Sequence, residues 1–234
     1  MSTIQVQSDQ QTDTAGQIIN DFSFTVATPN GSGSQTSNLV LIRALFKMGI
    51  PVNGKNLFPS NIKGLPTWYT IRVSKDGYIA RRDKTQIVIA FNEKTAVDDI
   101  NSIPAGGVCI LPQEWRQGRV RIQLPERDDI IFYEVPVKEL IKAFDIPSQR
   151  REQVSNMVYV GAVAQLFGID IDLIKQALSD QFGGKERPVQ MNMQVIEAAY
   201  NWVAENVEKR DPYRFAPLNM TEGKILITGN ESAA

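Results

Sequence analysis

Residues 21–49 read DFSFTVATPNGSGSQTSNLVLIRALFKMG, and this run restricts the architecture of the 234-residue chain more than any other. Residues 21–27 are aromatic and β-branched, as a strand requires, and residues 28–34 (TPNGSGS) are dense in turn formers. Residues 37–49 then carry apolar side chains over about three helical turns and stop at Gly49. A strand, a glycine turn and a helix in that order belong to an α/β sheet in which the turn sits at a strand's carboxyl end.

Gly31 and Gly33 let the backbone turn tightly and approach a ligand without a Cβ. The helix behind them aims its unpaired N–H groups and the positive end of its dipole at the same place. Asn30, Gly31, Ser32, Gly33, Ser34, Gln35 and Thr36 are therefore the candidate binding residues, offering neutral donors to an anionic group in place of a Lys or Arg clamp. The spacing is not G-x-G-x-x-G, because Thr36 occupies the third glycine's place, and no Gly-Lys-Ser/Thr follows as a Walker A loop demands. A reading in which the glycines only shape the turn stays open.

The remaining pattern predicts a loop over residues 54–66, a strand over 68–73, and a hairpin partner at 78–81 after the turn 75–77. Buried strands are expected at 86–91, 107–111 and 130–135, with helices at 95–103 and 137–144 between or after them. From residue 148 the pattern is helical, over 151–167, 170–182 and 189–208. The fold class is α/β, a mostly parallel sheet flanked by helices with a helical C-terminal part. Residues 1–20 read as a disordered polar leader, 21–210 as the folded domain and 211–234 as a linker, with KILIT at 224–228 opening another strand.

The chain contains no histidine, which removes the usual general base, the usual zinc ligand and every Ser-His or Cys-His pair. Its single cysteine, Cys109, sits in an apolar run and reads as a small buried hydrophobe. One cysteine can hold neither an iron–sulfur cluster nor an internal disulfide. A net charge of -1 gives no general electrostatic reason to bind nucleic acid or an anionic membrane. No secretory signal or bilayer-length apolar stretch is present, so a cytoplasmic location is expected. Arg81, Arg82 and Lys84 read as a solvated rim. Arg116, Arg119, Arg121 and Arg127, interleaved with acidic residues, read as surface pairing, and Asp170 and Asp172 as helix-start residues.

The runs NGSGSQTSNLVLIRALFKMGIPVNGKNLFPSNIKGLPTWYTIRV, NMVYVGAVAQLFGID and KERPVQMNMQVIEAAYNWV resemble the gamma domain of 2-oxoacid:ferredoxin oxidoreductases. The form is similar to the gamma domain fused at the N-terminus of the alpha subunit in 2-oxoglutarate:ferredoxin oxidoreductase. The resemblance spans roughly residues 20–210. It implies a Rossmann-like α/β module whose glycine-rich loop takes part in coenzyme A handling. Lys63, Gly64 and Leu65 stand where many stand-alone gamma subunits carry Arg-Gly-Gly, a departure that agrees with the fused variety. GKILITGNESAA at 223–234 resembles the opening strand and turn of the pyrimidine-binding domain that follows in fused subunits, which implies a truncated or split alpha subunit.

The resemblance further implies that thiamine diphosphate, magnesium and the iron–sulfur cluster belong to partner domains or subunits. The partners are then the remaining alpha-subunit domains, the beta subunit and, through the complex, ferredoxin. The isolated chain is expected to be inactive, with no catalytic residue and no metal site of its own. A purely structural assembly module is the alternative, and an independent nucleotide-binding enzyme lacks an accompanying base or metal cluster.

Overall fold

The computed structural model describes residues 16–60, 62–117, 122–228 and 232. In chain order the elements are β1 (Ile18–Ile19), β2 (Asp21–Pro29), α1 (Ser34–Lys47), β3 (Val52–Leu57), β4 (Pro66–Ser74), β5 (Ile87–Ala90), α2 (Ala96–Asn101) and β6 (Val108–Pro112). They continue with α3 (Glu114–Gln117), β7 (Ile131–Val135), α4 (Val137–Lys142), α5 (Ser148–Phe167), α6 (Ile171–Gln181), α7 (Glu186–Asn206) and β8 (Tyr213–Arg214).

Six strands form one sheet in the order β3-β4-β2-β5-β6-β7. β2, β5, β6 and β7 run parallel, while β4 lies antiparallel to both β2 and β3. The expected mostly parallel α/β sheet is therefore present as a mixed sheet flanked by helices, with the helical part following residue 147. Strand alternation separates two cores. Ile87 and Ile89 face a large core shared with α1, α5, α6 and α7, whereas Val88, Ala90 and Cys109 face a smaller one with Ile100, Ile103 and Trp115. Both faces of the parallel strands are covered, which is why β5 and β6 read as unbroken apolar runs.

The hairpin differs from the sequence-based expectation. β3 occupies the first part of the expected loop and pairs with β4, while residues 78–81 form no strand. β3 reads VNGKNL because it is an edge strand with one solvated flank, so its residues carry little β signature. Gly54 is required there: a Cβ would lie 2.2 Å from Ile42 Cδ1 and 2.7 Å from Tyr69 Cε1.

Helix starts also move. α5 begins at Ser148, after Pro147 as N-cap, and α7 at Glu186, three residues earlier than expected in each case; α7 takes Pro188 into its first turn, where a proline is tolerated. α5 is the central helix, buried around most of its circumference. At Gly161 it approaches α7 so closely that a Cβ would lie 2.2 Å from the Ile196 carbonyl oxygen.

The core reaches past residue 210. Phe215 stacks on Phe22 with ring centroids 4.9 Å apart, and β8 pairs in parallel with β1. Asn20, fully buried at positive φ, ties these ends together: its Nδ2 donates to Ala216 O at 2.7 Å and its Oδ1 accepts from Ala216 N at 3.0 Å. Residues 224–228 form no strand. The expected leader up to residue 15, Arg119, Arg121 and the turn at 229–231 lie outside the described residues. None of the described helices is long and apolar enough to cross a membrane.

Candidate functional site

The chain leaves β2 at Pro29, passes through α1 to the β3-β4 side of the sheet, then returns across β2 to build β5, β6 and β7 on the other side. The carboxyl end of β2 is thus the point where strand order reverses, the position at which open α/β sheets leave a crevice. Residues 30–33 occupy that point. Gly31 and Gly33 both adopt left-handed φ, +83° and +84°, which other residues reach only with strain. Gly33 is the N-cap of α1, so Ser34, Gln35 and Thr36 form the helix's first turn instead of lying before it.

The turn is held from both sides. Asn30 N donates to Leu65 O at 2.7 Å and Gly64 N donates to Asn30 O at 2.8 Å, so the Lys63-Gly64-Leu65 segment is bonded directly to the glycine turn. From α5, Asn156 Nδ2 donates to Ser32 O at 2.8 Å. The buried Thr28 hydroxyl donates to Ser34 Oγ at 2.7 Å, and Tyr159 OH donates to Asn38 Oδ1 at 2.9 Å.

Beside the turn lies a cavity of about 230 Å³, lined by Asn30, Gly31, Gly33, Ser34 and Gln35 together with Asn38, Asn56, Thr67 and Tyr69. Its chemistry leans to donors, although Asn30 spends its amide N–H groups on Ser60 O and Ile62 O, at 3.0 and 3.3 Å, and keeps only its Oδ1. Tyr159 occupies Asn38 Oδ1 and Thr67 occupies Asn56 Oδ1, at 3.0 Å, which leaves the amide N–H groups of both asparagines as the unused ends. Burial pushes the Tyr69 phenol above its ordinary range, keeping it an O–H donor at neutral pH. With the first-turn N–H groups of α1, these donors converge on a space that suits an acceptor-rich anion.

The structure thus brings Asn30, Gly31, Gly33, Ser34 and Gln35 to one cavity. Ser32 turns inward, 3% exposed, toward Asn156, and the Thr36 N–H is spent on Gly33 O at 3.2 Å. Sequence reading missed Asn38, Asn56, Thr67 and Tyr69, whose only local signal was polarity inside a helix or strand pattern. The Lys63 stem packs over Gly31, its Cγ 3.0 Å from where a Cβ would stand, and its ammonium lies 3.8 Å from Glu152.

The other charged clusters lie apart from this cavity. Arg82 joins Arg72 on Asp21 at the opposite end of β2, and Arg116 pairs with Glu134 at 3.2 Å over the Phe132 ring. Arg127 pairs with Asp129, and Asp170 caps α6 by accepting from Asp172 N at 2.8 Å. Cys109 is fully buried and its thiol is pushed far up by desolvation, so it does not fit as an iron–sulfur ligand, and a cluster needs several thiolates. Among the described residues no group of three or more His, Cys, Asp or Glu could hold a metal.

Similar proteins share this framework. The alpha subunit of 2-oxoacid:ferredoxin oxidoreductase 2 from Aeropyrum pernix is 21% identical, over 92% of this chain and 38% of its own. The structure of 2-oxoglutarate:ferredoxin oxidoreductase from Magnetococcus marinus, with 2-oxoglutarate, coenzyme A and succinyl-CoA bound, superposes with a TM-score of 0.72 at 25% identity. It covers 86% of this chain and 34% of that one. A keto/oxoacid ferredoxin oxidoreductase gamma subunit from Geobacter sulfurreducens shares the fold at a TM-score of 0.62 and 14% identity, over 79% of this chain and 99% of that one. The chain therefore spans little more than a third of the alpha subunit and of the Magnetococcus chain, and nearly the whole of a gamma subunit. The model for pyruvate ferredoxin/flavodoxin oxidoreductase matches residues 23–202, from β2 into α7 and so across the entire six-stranded sheet, and the chain belongs to that family.

Proposed function

We propose that this chain is the gamma-type domain of a 2-oxoacid:ferredoxin oxidoreductase, with 2-oxoglutarate as the 2-oxoacid, and that it holds coenzyme A through the glycine turn. The observation that carries this reading is the donor-rich cavity at the switch point of the sheet. Phosphate oxygens are acceptors, and such a cavity offers them the amide N–H groups of Asn38 and Asn56, the Tyr69 O–H and the first-turn N–H groups of α1. Lys63, whose stem packs over Gly31 and whose ammonium lies 3.8 Å from Glu152, would supply the cation that the turn itself lacks. The Magnetococcus relative with coenzyme A bound supports the assignment.

In the assembled enzyme, thiamine diphosphate, magnesium and the iron–sulfur cluster would come from other domains or subunits, with ferredoxin taking the electrons and coenzyme A the acyl group. The residues here bind and orient: the two left-handed glycines fix the turn, Asn156 locks it, and Asn38, Asn56 and Tyr69 donate. A cytoplasmic location fits this role.

Calorimetric titration of the chain with coenzyme A and with its adenosine bisphosphate half tests the proposal. Binding of both is expected, and Gly33→Trp, which drives a large side chain against Gln153 on α5, should abolish it. Absence of binding to the chain and to the assembled complex would overturn it.

A second reading, a structural assembly module, is favoured by Leu57, Phe58 and Ile62, which are exposed together at the end of the β3–β4 hairpin beside the turn. Normal coenzyme A affinity alongside failed assembly in Gly33→Trp would favour that reading.

A further inference from the structure

Residues 75–84 lie between β4 and β5, at the end of β2 opposite the glycine turn. Tyr78 is 78% exposed, and Lys75, Asp76, Arg81, Asp83 and Lys84 around it are exposed as well. Of the loop's cations only Arg82 makes an ion pair, with Asp21 at 3.3 Å, and among the described residues Arg81, Lys84 and the Tyr78 hydroxyl have no partner. The backbone beneath these side chains is nevertheless fixed. Gly77, at φ +83°, donates its N–H to Ser74 O at 3.2 Å, and Tyr78 N donates to Ser74 Oγ at 3.1 Å. Asn53 Nδ2, from β3, donates to Ile79 O at 3.3 Å, and Gln86 N donates to Ser23 O at 3.0 Å where the chain enters β5. A loop fastened in this way loses little further freedom when a partner covers it.

Tyrosine and arginine are the residue types that dominate binding energy at protein interfaces, and here they stand exposed on a pre-ordered loop. We propose that residues 75–84 are a docking loop for a carboxylate-bearing protein surface, with Tyr78 as its anchor and Lys75, Arg81 and Lys84 as the charges that meet it. Asp76 and Asp83 select a protein over a nucleic acid or an anionic membrane. A uniform array of phosphates would repel them, whereas a protein surface can match an interleaved pattern sign for sign. The chain spans 38% of the Aeropyrum alpha subunit and 34% of the Magnetococcus chain, so most of such an enzyme lies outside these residues and needs a surface of this domain to meet. The inference thus rests on the reading of the chain as a domain of that enzyme, whose remaining domains and subunits supply the partner.

The test immobilises the chain and titrates it with the remaining domains and subunits of the oxidoreductase, at low and at high salt. Tyr78→Ala, and Arg81→Glu combined with Lys84→Glu, should each weaken the affinity at least about tenfold, the scale of a hot-spot residue. The charge reversal should also slow association and remove its salt dependence. All three side chains are exposed, and circular dichroism checks that the variants fold. In the assembled wild-type complex a carbodiimide, which joins a lysine amine to a carboxylate in contact with it, should link Lys75 or Lys84 to the partner.

Wild-type affinity in either folded variant would overturn the inference and leave the gamma-domain reading standing. So would a carbodiimide map that joins Lys75 and Lys84 only to carboxylates of this chain. Loop-dependent binding of a duplex DNA probe in place of the subunits would overturn it in favour of a phosphate backbone. A wild-type chain that binds none of the remaining subunits would overturn the gamma-domain reading along with it.

Discussion

Asn156 Nδ2 lies 2.8 Å from Ser32 O, a hydrogen bond that spans 124 positions and joins the central helix α5 to the glycine turn. Both residues are buried, so the Ser32 carbonyl has no ready substitute partner. Asn156→Leu should cost about 1–3 kcal/mol, the penalty of a buried acceptor left unpaired. Urea denaturation should show the lower midpoint. Coenzyme A should also bind more weakly, because the turn's left-handed glycines lose the group that selects their conformation. A variant with wild-type stability and affinity would show that the turn holds itself.

Gly161 sets the separation of α5 and α7. An added methyl would meet the Ile196 carbonyl oxygen at 2.2 Å and Ala199 Cβ at 2.9 Å, and a carbonyl in an intact helix cannot rotate away. Gly161→Ala should therefore destabilise the protein by about 1–3 kcal/mol, as overpacking does, although alanine favours an isolated helix by about 1 kcal/mol. A thermal melt decides the sign. Stabilisation would mean that the two helices slide apart freely.

How much of this was legible in the sequence depended on whether the signal was local. β5 and β6 announced themselves because strands covered on both faces are apolar throughout, and β2 by its aromatic and β-branched residues. β3 did not, because its register is fixed by pairing with β4 and its Gly54 by the ring of Tyr69, neither of which leaves a periodic pattern. The same division runs through the site. Gly31 and Gly33 were visible as turn chemistry between a strand and a helix. Asn56, Thr67 and Tyr69 reach that turn only because the β3–β4 hairpin folds beside β2, and Asn156 only because α5 crosses behind it. Topology, not spacing, assembles those residues.

Tyr133 fastens the segment that follows α7. Its hydroxyl donates to Asp211 Oδ2 at 2.8 Å and accepts from Arg210 N at 2.8 Å and Asp211 N at 3.2 Å, and burial pushes its pKa up to about 12. Asp211, buried, also takes Lys209 Nζ at 2.8 Å and Tyr213 N at 2.9 Å. Tyr133→Phe removes the hub and leaves two backbone donors without their acceptor, at a cost of about 1–3 kcal/mol. Hydrogen exchange should report it locally, with the amides of Tyr213 and Phe215 losing protection before those of α5. Uniform loss of protection would mean that this segment unfolds only with the whole domain.

Asp21 and Arg72 give the fold a pH dependence with a definite sign. Burial alone would raise the Asp21 pKa, but the hydrogen bond and charge of Arg72, with the charges of Arg82 and Lys75, outweigh it and hold the carboxyl below its ordinary value. A carboxylate depressed in the folded state contributes stability above its unfolded pKa and loses it as pH falls through the folded one. Arg72 is 2% exposed, and its Nε and Nη1 have no other partner among the described residues, so Asp21 carries its neutralisation with help only from outside the core. Asp21→Asn should thus destabilise the protein by about 3 kcal/mol at neutral pH, the low end for breaking a buried pair because Asp21 itself is partly exposed. Denaturant melts repeated toward acid should show the gap between variant and wild type closing as Asp21 takes up its proton. A gap that stays constant through that range would locate the contribution in packing, not in charge.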